Sequence, residues 1–333
     1  MPAPNIFEIA TSELSQDAML AWLLAWADPS NAEVDAALHQ TGRRFLDALF
    51  ATHGSEPAPR GSIDVKRQTL NIDVLARIGE DAVVAIEDKV RSGLHSNQLV
   101  RYREALEKKY PDQRRILVYL KTIEQASYEQ VEDAGWKVFR RGDLLEVLGQ
   151  ADTDNAILCD YRAYLEGIEA QTQAFETKPF EEWERQTYRG FFVRLTEELS
   201  RLGADFSASW RNVPNAAGGF MGYWWNGRDV EHGRLYLQIE SGPRGKDRRD
   251  RLVVKLAVGE GATAREARGR WLGPVLEVMK ALGFEQPKRL GAGATMTLAT
   301  LPGDYRVERD GLLDLAATVK RLRRAGEALA RVS

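Results

Sequence analysis

The chain has 333 residues, 44% hydrophobic and 29% charged, with a net charge of −3, the make-up of a globular protein long enough for two cores. No run approaches 18 apolar residues, which excludes a membrane-spanning helix, and Met1-Pro2-Ala3-Pro4-Asn5 lacks the basic start and apolar stretch of a signal peptide. Cys159 is the single cysteine, so an internal disulfide and a multi-thiolate zinc site are excluded; it is expected to be a small core residue on an apolar helix face, in a cytoplasmic protein.

Ser12 is a good N-cap, and the helix it opens runs into Trp22-Leu23-Leu24-Ala25-Trp26 before Asp28-Pro29-Ser30-Asn31 ends it. Glu13 and Asp17 share one face of this helix and suit its positive dipole end. A second helix is predicted from about Glu33 to Phe50, with Leu38, Phe45, Leu46 and Leu49 inward. After a Pro/Gly-rich loop over 53–61, residues 63–67 can form an edge strand.

Two Val/Ile/Leu-rich runs over 69–78 and 82–90 then flank Gly79-Glu80-Asp81, the pattern of a hairpin. With that loop, Ile78 faces Ala82, partner numbers total 160, and Asp73 lies opposite Glu87. Opposed side chains sit about 4.5–5.5 Å apart at Cβ, where like charges are destabilising. Glu87 and Lys89, two apart, share a face. Two carboxylates and an ammonium thus converge in an apolar sheet, an arrangement a divalent cation would stabilise. An ordinary salt bridge on a half-exposed hairpin is the alternative that the pattern alone leaves open.

The next helix starts near Asn97, with Gln98 and Tyr102 on one face. A buried strand over 115–120, a helix over 128–134, a short strand over 136–139 and a helix over 142–148 follow. Together with the hairpin they predict an α/β core, a mixed central sheet with helices on both faces. A long helix over 154–174 carries Ile157, Leu158, Tyr161, Leu165 and Ile168 inward, and the domain boundary is placed between 176 and 177. Residues 177–333 are predicted to form a separate α+β domain with an antiparallel sheet: a helix over 180–202, strands over 206–210, 220–225, 234–240, 252–258 and 295–299, and helices over 263–282 and 311–331.

Residues 1–170 hold 19 Lys+Arg against 28 Asp+Glu, a net of −9, and residues 171–333 hold 27 against 21, a net of +6. Such asymmetry between halves can point to a nucleic-acid partner, and a difference of this size also arises between unrelated domains by chance. Its most basic stretch, 242–251, includes Arg244, Lys246, Arg248 and Arg249 and suits phosphates, although a solvated loop with internal Arg–Asp pairs would look the same. Lys320, Arg321, Arg323 and Arg324 on the last helix share that ambiguity. Trp224-Trp225 could stack on bases, but tryptophans alternating across a strand are more often core. The four histidines form no metal-binding pair, and the chain has no P-loop.

Asp73 followed by Glu87-Asp88-Lys89 resembles the signature of the PD-(D/E)xK nuclease superfamily, with Ile72 where the superfamily's name has Pro. Glu13-Leu14-Ser15-Gln16-Asp17-Ala18 resembles the first helix of a bacterial branch of it, and Gln98-Leu99-x-x-Tyr102 resembles the glutamine helix after the catalytic strand. The resemblance covers residues 5–106 and implies a restriction-endonuclease-like core. It implies hydrolysis of nucleic acid, DNA above all, with Mg2+ as cofactor and Mn2+ able to substitute. Asp73, Glu87 and the backbone carbonyl of Asp88 would be metal ligands, and Lys89 would orient or deprotonate water. Glu13 would serve a second ion or a water of the first, Gln98 would position the lysine or a phosphate, and Tyr102 would lie along the nucleic acid. A homodimer and defence-system partner proteins are compatible with the family, though no residue requires them. Two alternatives stay open: a non-catalytic binding module on the same fold, and a regulated antiviral effector whose C-terminal domain senses a ligand.

Overall fold

The structure, a computed structural model, describes residues 4–94, 97–201, 206–214, 219–242 and 250–333. The chain divides into two compact units, Met1–Ala170 and Gln171–Ser333.

The first unit opens with α1 (Ile6–Ile9) and α2 (Glu13–Trp26), the latter capped by Ser12, whose hydroxyl accepts from the Ser15 amide. Asp28 ends α2, because the proline after it disfavours further helix, and its carboxylate accepts from the Ser30 amide. α3 (Ala36–Ala51) crosses α2 at Gly42, where a Cβ would come 2.6 Å from the Leu23 carbonyl oxygen; only glycine permits that approach. β1 (Ile63–Thr69), β2 (Ile72–Ile78), β3 (Ala82–Lys89), α4 (Gln98–Lys109), β4 (Arg114–Lys121), α5 (Glu129–Asp133), β5 (Lys137–Arg140), α6 (Arg141–Gly149) and α7 (Ala156–Gln173) complete it.

The five strands form one mixed sheet in the order β1-β2-β3-β4-β5. β1, β2 and β3 pair antiparallel, and β3–β4 and β4–β5 pair parallel. The β2–β3 register is the predicted one, with Ile78 opposite Ala82 and Val74 opposite Ile86. Every residue of β3 is buried, as expected of a central strand covered on both faces. Its even-numbered side chains, Val84 and Ile86 among them, join the core of α2, α3, α6 and α7. Val83 and Ala85 join the core of Leu99, Leu106, Val131 and Trp136 on the other face. Burying each such aliphatic side chain is worth roughly 1.5–3 kcal/mol, so two full cores hold β3 in place.

Two details of α7 differ from the sequence-based expectation. Leu158, Tyr161 and Leu165 form its buried stripe, but Cys159 is exposed, not a core residue, and Ile157 is 46% exposed. One residue of helix turns the side chain about 100°, enough to carry Cys159 off the narrow inward stripe beside Leu158.

The second unit contains α8 (Arg185–Ser200), β6 (Ala208–Val213), β7 (Phe220–Val230), β8 (Gly233–Ser241), β9 (Arg251–Val258), α9 (Ala264–Met279), β10 (Thr295–Thr300), the small ribbon of β11 (Glu308–Arg309) and β12 (Leu312–Leu313), and α10 (Leu315–Ala330). β6 to β10 form an antiparallel sheet in the order β10-β9-β8-β7-β6. Phe192 of α8 packs against Trp210 and Tyr223 of this sheet. Below them Arg306, 2% exposed, donates to Asp250 Oδ2 at 2.7 Å and lies 4.0 Å from the Phe180 ring centre. No helix of the described residues is long and apolar enough to cross a membrane.

Candidate functional site

The site grows from the ends of β2 and β3. Alternation along β3 sends Glu87 and Lys89 to the α4 face and Asp88 to the α2 face. Asp73 sits at the start of β2, and its Oδ2 accepts from the Asp88 amide at 2.9 Å. Lys89 Nζ lies 2.5 Å from Glu87 Oε1, 3.1 Å from the Asp88 carbonyl oxygen and 3.5 Å from Asp73 Oδ2. The three oxygens named as metal ligands from the sequence therefore surround one cationic position, which the ammonium of Lys89 occupies. A second oxygen, Glu87 Oε2, is buried without a hydrogen-bond partner.

Gln98 opens α4 and donates to Glu87 Oε1 at 2.6 Å and to the Tyr102 hydroxyl at 2.9 Å. The indole of buried Trp136 anchors that end of the helix by donating to the Leu99 carbonyl. Glu13 lies at the head of α2, where its Oε1 accepts from the Val90 amide at 3.1 Å and the Ser92 hydroxyl at 2.6 Å. The structure thus brings together Asp73, Glu87, the Asp88 carbonyl, Lys89, Gln98 and Tyr102, with Glu13 holding the chain just past β3. Arg244, Lys246, Arg248 and Arg249 lie outside the described residues. On α10, Arg321 donates to the carbonyls of 304, 305 and 306, and Arg323 pairs with Glu327, so part of that basic face serves the fold.

Two glutamines that sequence reasoning missed hold this arrangement. Gln16, 4% exposed, donates to Asp88 Oδ1 and to the Thr122 hydroxyl, both at 2.6 Å. Gln68 donates to Asp17 Oδ2 and Asp73 Oδ1, both at 3.2 Å. Its backbone, like those of Leu70 and Asn71, has positive φ, so the tight β1–β2 turn carries local strain while aiming this side chain. The only sequence signal for Gln16 was its place one turn from Glu13; nothing local marked Gln68.

Electrostatics follow from crowding. Burial first, then the Asp73 carboxylate, push Glu87 up to about 7 against the pull of Lys89. Burial, then Asp73, push Asp17 up to about 6. Asp88, fully buried, is raised well above the usual carboxylate range by burial and next by Asp17. For Lys89 burial works downward, but Glu87, Asp73 and Glu13 outweigh it and keep the ammonium charged. Burial works upward on Glu13, yet the Ser92 hydroxyl, Lys89 and the Val90 amide bring it below its ordinary value. Among the described residues no three His, Cys, Asp or Glu side chains make a metal cage by themselves; this site offers two carboxylates and a carbonyl.

These shifts predict a pH dependence. A carboxyl with a raised folded-state value binds its proton more readily folded than unfolded, so stability falls as pH rises between the two values. In chelator, the Glu87 contribution should decline from about pH 4.5 to about 7, by on the order of 3 kcal/mol, with Asp17 acting in the same direction from about 4 to about 6. Thermal melts from pH 5 to 8 measure this, and Glu87→Gln should flatten the slope. A wild-type melting temperature that climbs across that range would contradict the reading.

The PD-(D/E)XK nuclease superfamily model matches residues 4–188. The chain belongs to that superfamily. No curated protein and no solved structure is significantly similar to it. The match spans α2, the β2–β3 hairpin and α4, the elements that carry the site, and nucleases of this superfamily typically use divalent metals.

Proposed function

We propose that this superfamily member is a Mg2+-dependent nuclease that hydrolyses phosphodiester bonds, with DNA as substrate and Mn2+ able to replace Mg2+. The observation that supports this most is the convergence of Glu87 Oε1, Asp73 Oδ2 and the Asp88 carbonyl on the position of the Lys89 ammonium. Hard divalent cations prefer such oxygens and keep several waters, so two carboxylates and a carbonyl fit Mg2+. Bound there, the ion would supply Lewis acidity toward a phosphate oxygen and make water more acidic.

The protein's own groups would do the rest. With an ion held by Glu87 and Asp73, Lys89 would lose the two largest of the three charges, Glu87, Asp73 and Glu13, that keep it protonated. Its amine could then take the proton of the attacking water as the new P–O bond forms and the old one breaks. Gln98 keeps Glu87 in one rotamer, and Tyr102 in turn accepts from Gln98. Glu13 fixes the chain just past Lys89 through the Val90 amide and the Ser92 hydroxyl.

Purified protein should be incubated with Mg2+ or Mn2+ and a panel of single- and double-stranded DNA and RNA, circular substrates included to separate internal from terminal cleavage. Cleavage that chelator abolishes is the expected result. Failure on every substrate, with no shift of the melting temperature by Mn2+, would overturn the proposal and favour a non-catalytic binding module.

A further inference from the structure

Trp224 and Trp225 face opposite sides of the second unit's sheet. Trp225 is buried beside Tyr223, 5.5 Å between ring centres, on the face that α8 covers. Trp224 lies on the other face, half-buried. A Cβ at Gly222 would come 2.6–2.7 Å from the Cζ2 and Cη2 edge of its ring, so the indole packs against Gly222, a seat no other residue could offer unmoved. The ring is also locked in place. Its Nε1 donates to Gln238 Oε1 at 2.6 Å, Gln238 Nε2 donates to Glu240 Oε1 at 2.8 Å, and Arg251 donates to Glu240 Oε2 at 2.6 Å.

A hydrogen-bonded indole on the uncovered side of a sheet gives a fixed aromatic surface on which a flat ring can stack. Beside it lies a recess of about 350 Å³, bounded by Trp224, Tyr236, Ser209, Asn226 and Arg234. Two guanidiniums border it. Arg211 lies over the indole, 5.7 Å from the ring centre, and Arg234, 56% exposed, pairs with the still more exposed Asp229 at 3.4 Å. Glu240, the buried acid of this face, is already met by Arg251 and by Lys255 at 3.8 Å.

We propose that this outer sheet face binds single-stranded nucleic acid, with successive bases stacked on Trp224 and Tyr236 and phosphates at Arg211 and Arg234. A duplex would hide the base faces that the indole needs. The proposal rests on the nuclease reading for its choice of nucleic acid over other flat-ringed anions, and it names the strand form that the enzyme holds.

The test uses the full chain carrying Lys89→Ala, in chelator, with a fluorescently labelled 15-nucleotide oligothymidine followed by anisotropy. Base–aromatic stacking is worth enough that Trp224→Ala should weaken binding about 5- to 150-fold, while Trp224→Phe keeps most of it. Each of Arg211→Ala and Arg234→Ala should flatten the log–log salt slope by about 0.7. Unchanged affinity in Trp224→Ala, no binding of the strand, or equal competition by duplex would overturn the proposal. Should the alanine variant fail to fold, the Arg211→Ala/Arg234→Ala double variant decides, and an unchanged salt slope overturns it. If the wild type cleaves nothing yet Trp224-dependent binding is present, the nuclease reading fails and this one stands. If it cleaves and Trp224 is irrelevant to binding, the reverse holds.

Discussion

Replacing Lys89 with alanine is expected to lower the cleavage rate about 10²–10⁴-fold, the usual cost of losing a positioned proton-transfer group. The ammonium contacts Glu87, Asp73 and the Asp88 carbonyl. Its removal therefore leaves two facing carboxylates with no cation, and stability in chelator should fall as well. Added Mn2+ should restore that stability but not the activity, which separates a chemical role from a structural one. Lys89→Arg should also be poor, because the guanidinium stays protonated and its planar fork does not fit a space shaped for a point charge. Single-turnover cleavage alongside melting curves with and without Mn2+ tests this. An alanine variant that cleaves at the wild-type rate would remove Lys89 from the mechanism.

Asp73→Asn is expected to abolish cleavage and the melting shift produced by divalent cations. A ligand at 100 times its Kd stabilises the folded state by about 2.7 kcal/mol, so the loss of that shift is readily measured. In chelator the same variant should be at least as stable as the wild type, since Asp73 is among the charges that drive Glu87 and Asp17 toward protonation. Asp73→Ala is a less clean probe. It relieves the same repulsion but leaves the Asp88 amide without its acceptor, and an unsatisfied buried donor costs about 1–3 kcal/mol. Retention of a full Mn2+ shift in Asp73→Asn would place the ion elsewhere.

Most of the first unit could be read from local pattern. The Val/Ile/Leu-rich runs over 69–78 and 82–90 marked two strands, and the three-residue loop Gly79-Glu80-Asp81 between them fixed their register, because loop length sets which residues of a hairpin face each other. That register placed Asp73 near Glu87 and Lys89 without any tertiary information. Ser12 and Asp28-Pro29 likewise announced helix ends through their own side-chain and backbone chemistry. Sequence order alone also yielded the antiparallel sheet of the second unit, whose strands are successive neighbours from β6 to β10.

Other features depend on residues far apart in the chain. Whether Cys159 was buried turned on how narrow a stripe α7 presents to its core, a property of its neighbours and not of its own sequence. Gln16 meets Asp88 across 72 positions, and Gln68 reaches Asp17 across 51, so no local window contains either pair. The strength of the Glu87 perturbation needed the full burial of β3 by helices on both faces. Trp224 and Trp225 are adjacent and chemically identical in sequence; only the pairing of β7 with its neighbours, and the side of the sheet that α8 covers, made one a core residue and left the other facing outward. Hydrophobic period and cap chemistry act within a few residues and so determined the elements and their register, whereas burial, charge coupling and side-chain partnership are set by what the folded chain brings alongside.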